Sequence, residues 1–186
     1  YICKVFSEMG SYRIPHTLEQ MKDGLFYLTF TRFRRVPVIP VIKSLGLVKD
    51  SDIVKMISGD SEYDSVMINL YDSAELKTED EALEHLAKKI GITQIKEVKF
   101  EKTREQLDKY LLPHLGTTPK DRMVKAYNLC KMVRKFLKAS EDGLPLPDKD
   151  HYMNKRLKLA GDLLEDLMRA NLRSLVQDIM YNFQRL

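Results

Sequence analysis

Acidic, imidazole and basic side chains are concentrated between residues 148 and 158. Asp148 and Asp150 form a D-x-D pair, and His151 follows directly. In some transferases such a pair holds a metal ion, so one hypothesis is a small metal-dependent hydrolase or transferase that uses these three residues. The structural alternative is that Asp150 is the N-cap of a helix beginning at His151. Metal sites need further ligands and none is evident, so we predict no metal site and no catalytic residue.

Cations follow these acids without an intervening carboxylate. Residues 151–161 contain no Asp or Glu, and the polar positions fall on about one and a half turns of the helix expected here. These positions are Asn154, Lys155, Arg156 and Lys158. Such a cluster can hold phosphates and read base edges. It is equally typical of a solvated helix face, and the residues alone leave both interpretations open.

A second basic stretch surrounds an aromatic residue near the N-terminus. Arg32, Arg34 and Arg35 flank Phe33. This mixture can bind a single strand by base stacking and phosphate contact. The alternative is a polar strand edge that discourages aggregation.

The composition fits one domain, with room for a piece of a neighbour. The 186 residues are 44% hydrophobic and 31% charged, and the formal net charge is +4. This mild positive excess permits nucleic-acid contact without requiring it. The chain begins at Tyr1, inside an expected strand, so we expect it to be an excised piece of a longer protein.

The cysteines and the hydropathy pattern exclude several classes of protein. Cys3 and Cys130 are too few and too far apart for a disulfide framework or a zinc ribbon. We expect both to be small buried residues in a reducing compartment. No apolar run approaches the roughly 20 residues of a membrane helix, and no signal peptide is recognisable. These observations predict a cytoplasmic protein without a membrane partner.

The order of local signals predicts an α+β fold with a small N-terminal β-sheet, a mostly helical remainder and a long C-terminal helix. Strands are expected at residues 2–6 and 25–30, with a turn at Lys22-Asp23-Gly24 between them. After residue 36, helix caps recur, among them a capping box beginning at Thr78 and a stop at Gly91. Weak alternation at residues 92–100 suggests one more strand, and a helix is expected from Thr103 to Leu112.

A break and an apolar helix complete the expected organisation. Gly143, Pro145 and Pro147 lie close together in the clearest break, and a long helix follows. Its apolar stripe includes Leu163, Leu164, Leu167, Leu175, Ile179 and Phe183. Because such a stripe needs a partner, we expect part of it to be exposed in this chain or paired with another copy.

The segment from Asp148 to Gly161 resembles the second-largest subunit of multisubunit DNA-directed RNA polymerases. Archaeal and eukaryotic members carry D-K/R-D-H-F/Y-x-N/K-K/R-R-L/V-x-L-A/S-G, and the bacterial β subunit carries a related D-x-D-H-x-G-N-R-R. Residues 110–115, YLLPHL, are similar to an upstream F/L-L-P-H-I/L stretch, and residues 36–46 to an apolar stretch ending in A/S-L-G. Order and spacing agree over essentially the whole chain, and the lack of long insertions looks archaeal. Met153 departs from the bacterial glycine.

The resemblance implies a specific place in the polymerase. Residues 1–150 would form the lobe domain, and residues 151–186 the helix leading back to the adjacent protrusion domain, on which the apolar stripe would pack. The lobe lines the downstream DNA cleft near the transcription bubble and docks transcription factors. Carried over by position, the nucleic-acid-binding candidates are Asp150, Asn154, Lys155, Arg156 and Lys158. The chain would hold no cofactor and be inactive alone, because the magnesium-binding aspartates lie on the largest subunit; its partners would be DNA, other polymerase subunits and the rest of its own subunit.

Overall fold

A computed structural model describes residues 1–9, 12–59, 63–92, 95–145, 148 and 150–185. Within these residues the chain forms four strands and seven α-helices. The strands come first and the longest helix comes last, so the α+β prediction is confirmed. The chain divides into two compact units, one of Tyr1–Ser7 with Ile14–Leu144 and one of Glu8–Arg13 with Pro145–Leu186.

The β-sheet has its strands in chain order. The strands are β1 (Ile2–Met9), β2 (Tyr12–Gln20), β3 (Phe26–Phe30) and β4 (Phe33–Pro37). In β3 every second residue is buried, as expected of a strand with one face on a core. The expected turn precedes it: Gly24 has a φ of 81°, and the Asp23 carboxylate accepts a hydrogen bond from the Leu25 amide at 3.0 Å.

The helices begin directly after the sheet. They are α1 (Val38–Ser44), α2 (Asp50–Ser58), α3 (Asp64–Asp72), α4 (Glu79–Ile90), α5 (Lys96–Tyr110), α6 (Arg122–Ser140) and α7 (Ala160–Arg185). Short 3-10 helices cover Pro113–Leu115, Pro119–Asp121 and Tyr152–Asn154. The predicted capping box is confirmed at α4, where Thr78 and Glu81 bond each other's backbone amides, and Gly91 ends that helix at a φ of 80°.

The strand expected at residues 92–100 is wrong in the part of it that is described. Residues from Lys96 onward belong to α5, which also contains the helix expected from Thr103. Phe100, Thr103 and Leu107 recur at helical spacing and turn towards the core, Thr103 and Leu107 being fully buried. This period of three to four residues outweighs the weak alternation that suggested a strand. Thr93 and Gln94 lie outside the described residues.

The core of the first unit lies between the sheet and the helices. Phe30 stacks on Phe33 with ring centroids 4.4 Å apart, and Phe26 meets Phe136 of α6 edge to face at 5.6 Å. Both cysteines are free. Cys130 is buried as expected, but Cys3 is only partly buried, so the expectation of two buried cysteines is wrong for Cys3. Burial raises the pKa of the Cys130 thiol to about 12, so this thiol remains protonated and unreactive at neutral pH.

A buried histidine joins β2 to the end of α5. His16 is fully buried, and its ring stacks on Phe30. Its Nε2 accepts a hydrogen bond from the Leu112 amide at 3.1 Å and also lies 3.2 Å from the Tyr110 carbonyl. With Nε2 as the acceptor, Nδ1 carries the proton and donates to the Ile14 carbonyl at 3.1 Å. Burial lowers the pKa of His16, and the ring is therefore held neutral in the folded protein.

Two buried lysines bind the carboxyl ends of helices. Lys43 donates to the carbonyls of Ser73 and Leu76, just beyond α3, and pairs with Asp50 at 2.9 Å. Lys125 donates to the carbonyl of Asp108, in the last turn of α5, at 2.6 Å. Carbonyls at a helix end have no partner within the helix, and the end carries partial negative charge. These lysines therefore stabilise the helix ends on which they lie.

The second unit is dominated by α7, a helix of 26 residues with no buried side chain. The expected apolar stripe is between 47% and 76% exposed along its length. Leu167 and Leu175, near its middle, are 60% and 53% exposed. The stripe is thus an apolar helix face that this chain leaves uncovered.

Candidate nucleic-acid interface

The charged segment at residues 150–158 is not the α-helix that the sequence predicts. Tyr152–Asn154 form one 3-10 turn, Lys155 has extended backbone, and α7 begins only at Ala160. The prediction that these cations lie on about one and a half turns of a helix is therefore wrong. Lys155, Arg156 and Lys158 lie on an irregular stretch before the helix.

Side chains that bond to the local backbone explain why the helix does not begin at His151. The His151 Nδ1 accepts from the Met153 amide at 3.1 Å, and the Asn154 side-chain amide donates to the Asp148 carbonyl at 2.6 Å. Short polar side chains that satisfy the backbone in this way compete with helical hydrogen bonds. Asn154 therefore closes the loop with one of its donors, and its amide is only partly free for a base edge.

The two aspartates have different environments. The Asp148 carboxylate accepts from the Asp150 amide at 2.9 Å and so shapes the turn. Asp150 does not cap a helix, and that prediction is wrong. Its carboxylate makes no hydrogen bond or ion pair with the described residues and is exposed. Lys149, between them, lies outside the described residues.

At the start of α7, a backbone amide is instead bonded by an acid inside the first turn of the helix. The Asp162 carboxylate accepts from the Leu159 amide at 2.9 Å, and the Leu159 carbonyl accepts from the Leu163 amide. An acid in the first turn also complements the positive end of the helix dipole. Asp162 thus reaches back from inside the helix to the residue before it, whereas Asp150 was predicted to cap a helix from outside.

The three candidate cations differ in their partners. The Lys158 ammonium donates to the Asp166 carboxylate, a hydrogen bond that raises the pKa of Lys158 and lowers that of Asp166. Lys155 lies 5.4 Å from the ring centroid of Tyr152, and Arg156 donates to the Lys155 carbonyl at 3.3 Å. Neither Lys155 nor Arg156 pairs with a carboxylate among the described residues. These two are therefore the cations with charge to spare for a phosphate.

Sequence reasoning missed the partner of Lys158. Asp166 is eight residues further along the chain and lies on α7, whereas Lys158 precedes the helix. Its only signal was its helical position, four residues after the capping acid Asp162. Without the correct start of the helix, the pairing could not be recognised.

The N-terminal basic stretch does not offer a ring for base stacking. Phe33 is 1% exposed and stacks on Phe30, so it belongs to the core. Arg35 pairs with Glu19 at 3.4 Å across the sheet, while Arg32 and Arg34 are exposed. Of the two interpretations, the polar strand edge fits this arrangement.

A serine–histidine contact in the first unit is structural. The Ser7 hydroxyl lies 2.7 Å from the His114 Nδ1 and also accepts from the His114 amide at 3.3 Å. Such a pair is within reach of nucleophile activation. Ser7, however, is fully buried, so no substrate can approach its oxygen. The contact ties β1 to the 3-10 helix Pro113–Leu115.

The metal-enzyme hypothesis gains no support from the geometry. Among the residues that the structure describes, no group of three or more His, Cys, Asp or Glu side chains could hold a metal ion. Asp148 and His151 are each engaged with a backbone amide of the loop.

In the described part of the chain, no helix is both long and apolar enough to cross a membrane.

The comparisons with known proteins all lead to subunits of RNA polymerase. Residues 4–158 match the family model RNA polymerase Rpb2, domain 2. The DNA-directed RNA polymerase subunit Rpo2 of Saccharolobus solfataricus is 35% identical over 187 residues, which is 100% of this chain and 17% of that protein. The subunit Rpo2N of Methanocaldococcus jannaschii is 36% identical, and that of Halobacterium salinarum 33%, each over 99% of this chain.

The chain corresponds to only part of each of these relatives. The chain covers 38% of the Methanocaldococcus subunit and 36% of the Halobacterium subunit, so it spans well under half the length of each. The family match includes the loop that holds Lys155 and Arg156. On this evidence the resemblance inferred from the sequence is confirmed, and the chain belongs to the RNA polymerase Rpb2, domain 2 family.

Proposed function

We propose that this chain works as a non-catalytic part of the second-largest subunit of a DNA-directed RNA polymerase. In this proposal it lines the downstream DNA cleft near the transcription bubble and docks transcription factors. Residues 1–150 act as the lobe domain, and residues 151–186 lead back to the protrusion domain. The catalytic magnesium is held by the largest subunit, and this chain is inactive by itself.

The observation that carries the nucleic-acid part is the exposed, unpaired state of Lys155 and Arg156. Both lie on an irregular stretch, and neither has a carboxylate partner among the described residues. A cation that keeps its charge and its solvent exposure can release a counterion from DNA when it binds a phosphate. Phosphate contacts of this kind position a duplex or strand without reading its sequence.

The other candidate residues contribute differently within the proposal. Lys158 is partly neutralised by Asp166, so its attraction for phosphate is smaller. Asn154 fixes the loop through the Asp148 carbonyl. The free carboxylate of Asp150 repels phosphate and is suited only to a base-edge donor such as the cytosine amino group.

The uncovered stripe of α7 supports the proposed partners. Apolar helix faces of this extent are buried in a complete protein, and the chain covers only 17% of the Saccharolobus subunit. We therefore propose that other parts of the same subunit, or neighbouring subunits, cover Leu167 and Leu175. The two cations of the loop need no such cover.

The test is the double variant Lys155→Ala with Arg156→Ala in an intact polymerase of this family. Each lost phosphate contact should reduce the salt dependence of open-complex lifetime by about 0.9 in the log–log slope, so the pair should change it by about two. The lifetime should shorten at low salt, while nucleotide addition on a preformed elongation complex stays intact. Lys158→Ala should have the smaller effect, because Asp166 already holds that ammonium.

The matched control is Lys131→Ala with Lys135→Ala on α6. These lysines are also exposed, and the double change removes the same charge. An open-complex lifetime that does not change at any salt concentration in the Lys155/Arg156 variant would reduce the loop to a structural junction. An equal change in the control would show a net-charge effect instead.

A further inference from the structure

A groove of about 650 Å³ lies in the first unit, between the β2–β3 turn and the carboxyl end of α3. Its apolar lining is Leu25, Ile68, Tyr71 and Ala74. Tyr71 is 86% exposed and Ile68 is 50% exposed. The groove therefore presents one aromatic and several aliphatic groups to solvent side by side.

The two walls of the groove are held together by a buried asparagine. Asn69 of α3 is 3% exposed; its Oδ1 accepts from the Phe26 amide at 2.8 Å, and its Nδ2 donates to the Gly24 carbonyl at 3.1 Å. These bonds fix the turn against the helix on the side opposite the exposed Tyr71. The groove is thus preformed, which lowers the entropic cost of binding.

The remaining lining residues are all acids. Asp23, Asp72 and Glu75 line the groove, and no cation does. None of the three pairs with a Lys or Arg among the described residues. The Tyr27 hydroxyl donates to the Asp23 carboxylate at 3.0 Å. Burial, together with this hydrogen bond and the charges of Asp23 and Asp72, raises the pKa of Tyr27.

Their position makes this negative charge costly to the free protein. Asp72 is the last residue of α3, and Glu75 follows within one turn, where the helix dipole is already negative. The last turn of α3 contains no basic residue. The Lys43 ammonium binds the Ser73 and Leu76 carbonyls at this helix end, but its carboxylate partner is Asp50 and none of the three groove acids. A cation supplied from outside would relieve this repulsion.

We infer that this groove docks a segment of another protein in which lysine or arginine residues flank an apolar side chain. The apolar side chain would cover Leu25 and Ile68, and a cation would lie between the acids or over the ring of Tyr71. Nucleic acid is repelled by three carboxylates, and so is an acidic peptide. This inference rests on the docking part of the proposed function and supplies the chemistry of the docked partner.

The experiment titrates the isotopically labelled 186-residue chain with short synthetic peptides, followed by NMR. A peptide alternating lysine and leucine should shift the amides of Leu25, Ile68 and Ala74. A peptide with glutamate in place of lysine, and one with serine in place of leucine, should bind at least about tenfold more weakly. Equal binding of either peptide, shifts confined to other surfaces, or shifts of these amides by single-stranded DNA would overturn the inference.

Two sets of variants locate the interaction. Asp72→Asn with Glu75→Gln should weaken the lysine–leucine peptide about tenfold, and Tyr71→Ser should weaken it as well. Glu97→Gln with Glu101→Gln removes the same charge from α5 and should leave the affinity unchanged. Thermal unfolding checks each variant, and binding by the unmodified chain should also weaken with added salt. Affinity that the groove variants do not lower, or that both charge variants lower alike, would overturn the inference.

No DNA and no polymerase are present in this titration. Its failure would leave the role of Lys155 and Arg156 in open-complex lifetime intact. An unchanged open-complex lifetime would in turn leave the peptide result standing. The two proposals can therefore fail separately.

Discussion

Replacing Asp108 by asparagine should remove the central charge of a network that joins α5 to α6. The Asp108 carboxylate accepts two hydrogen bonds from Arg122, at 2.8 and 2.6 Å. Its backbone carbonyl accepts from the buried Lys125. Arg122 and Lys125 both lie in the first turn of α6, where positive charge is unfavourable. The carboxylate therefore offsets two cations that the helix start would otherwise disfavour.

The expected loss in the free energy of unfolding depends on how deeply this ion pair is buried. Removing one partner of a buried ion pair costs about 3–5 kcal/mol, because it leaves the other charge uncompensated. The Arg122 and Asp108 side chains are 21% and 12% exposed. Because solvent screens part of their attraction, we expect Asp108→Asn to lower the free energy of unfolding by about 3 kcal/mol. Lys125→Met should cost only about 1 kcal/mol, since it leaves a carbonyl unsatisfied but also relieves the desolvation of an ammonium.

Urea denaturation measures these differences. The chain has no tryptophan and nine tyrosines, so the near-ultraviolet circular dichroism of the tyrosines reports tertiary structure. The midpoint should fall with little change in the denaturant slope. Asp80→Asn is the matched control, because Asp80 pairs with Arg104 at 3.3 Å with 65% of its side chain exposed. That pair should contribute less than about 1 kcal/mol.

A double-mutant cycle provides the sharper test. If the network acts as a unit, Asp108→Asn combined with Arg122→Gln should cost less than the sum of the two single changes by about 2 kcal/mol. A loss below about 1 kcal/mol for Asp108→Asn, or strict additivity in the cycle, would refute the reasoning. The contact would then be a crossing of helices without electrostatic importance.

Two further predictions concern pH and backbone conformation. The folded-state pKa of His16 lies below its unfolded value, so the unfolded chain binds more protons. The free energy of unfolding should therefore fall as pH drops below about 6.5. Urea titrations at several pH values should show a weaker pH dependence for His16→Gln than for the unmodified chain. Gly91 and Gly116 have positive φ, but an added Cβ has open space at Gly91 and overlaps the Asp121 side chain at Gly116. Thermal unfolding should therefore show a loss of about 1 kcal/mol for Gly91→Ala and a distinctly larger one for Gly116→Ala.

Short-range signals in the sequence predicted short-range structure. Thr78 and Glu81 are three residues apart, and nothing else is needed for their capping box. Gly91 ends α4 for a reason internal to its own backbone, and the Asp23–Gly24 turn is likewise local. These features, and the α+β order of elements that they imply, could be predicted from the sequence.

Strand β2 illustrates where sequence reasoning ends. Its core-facing positions are His16 and Leu18, and a histidine at a core position hides the alternation of a half-buried strand. The histidine is accepted there because its two nitrogens find the carbonyl of Ile14 and the amide of Leu112. The second partner is almost a hundred residues away, so no window along the sequence contains the reason.

The helix predicted at the charged loop was wrong for a local reason, unlike the histidine of β2, whose partner is distant. The residues from His151 onward have a sequence that suits a helix, but His151 and Asn154 bond to the backbone near them and stop it. The groove beside α3 could not be found from sequence either. Its acids come from both walls, Asp23 from the turn and Asp72 with Glu75 from the carboxyl end of α3, and the hydrogen bonds of Asn69 join these two walls.

A net charge of +4 says little about binding until the partners of the cations are known. Lys43 and Lys125 are buried and donate hydrogen bonds to backbone carbonyls at helix ends, so their ammonium groups cannot bind a ligand. Lys158 carries the same charge on the surface, but a carboxylate already holds it. Of the three loop cations, Lys155 and Arg156 are the ones that keep a charge for a phosphate. Within the loop, the choice of Lys155 and Arg156 over Lys158 therefore rests on which cations have a carboxylate partner, a property that only the folded chain reveals.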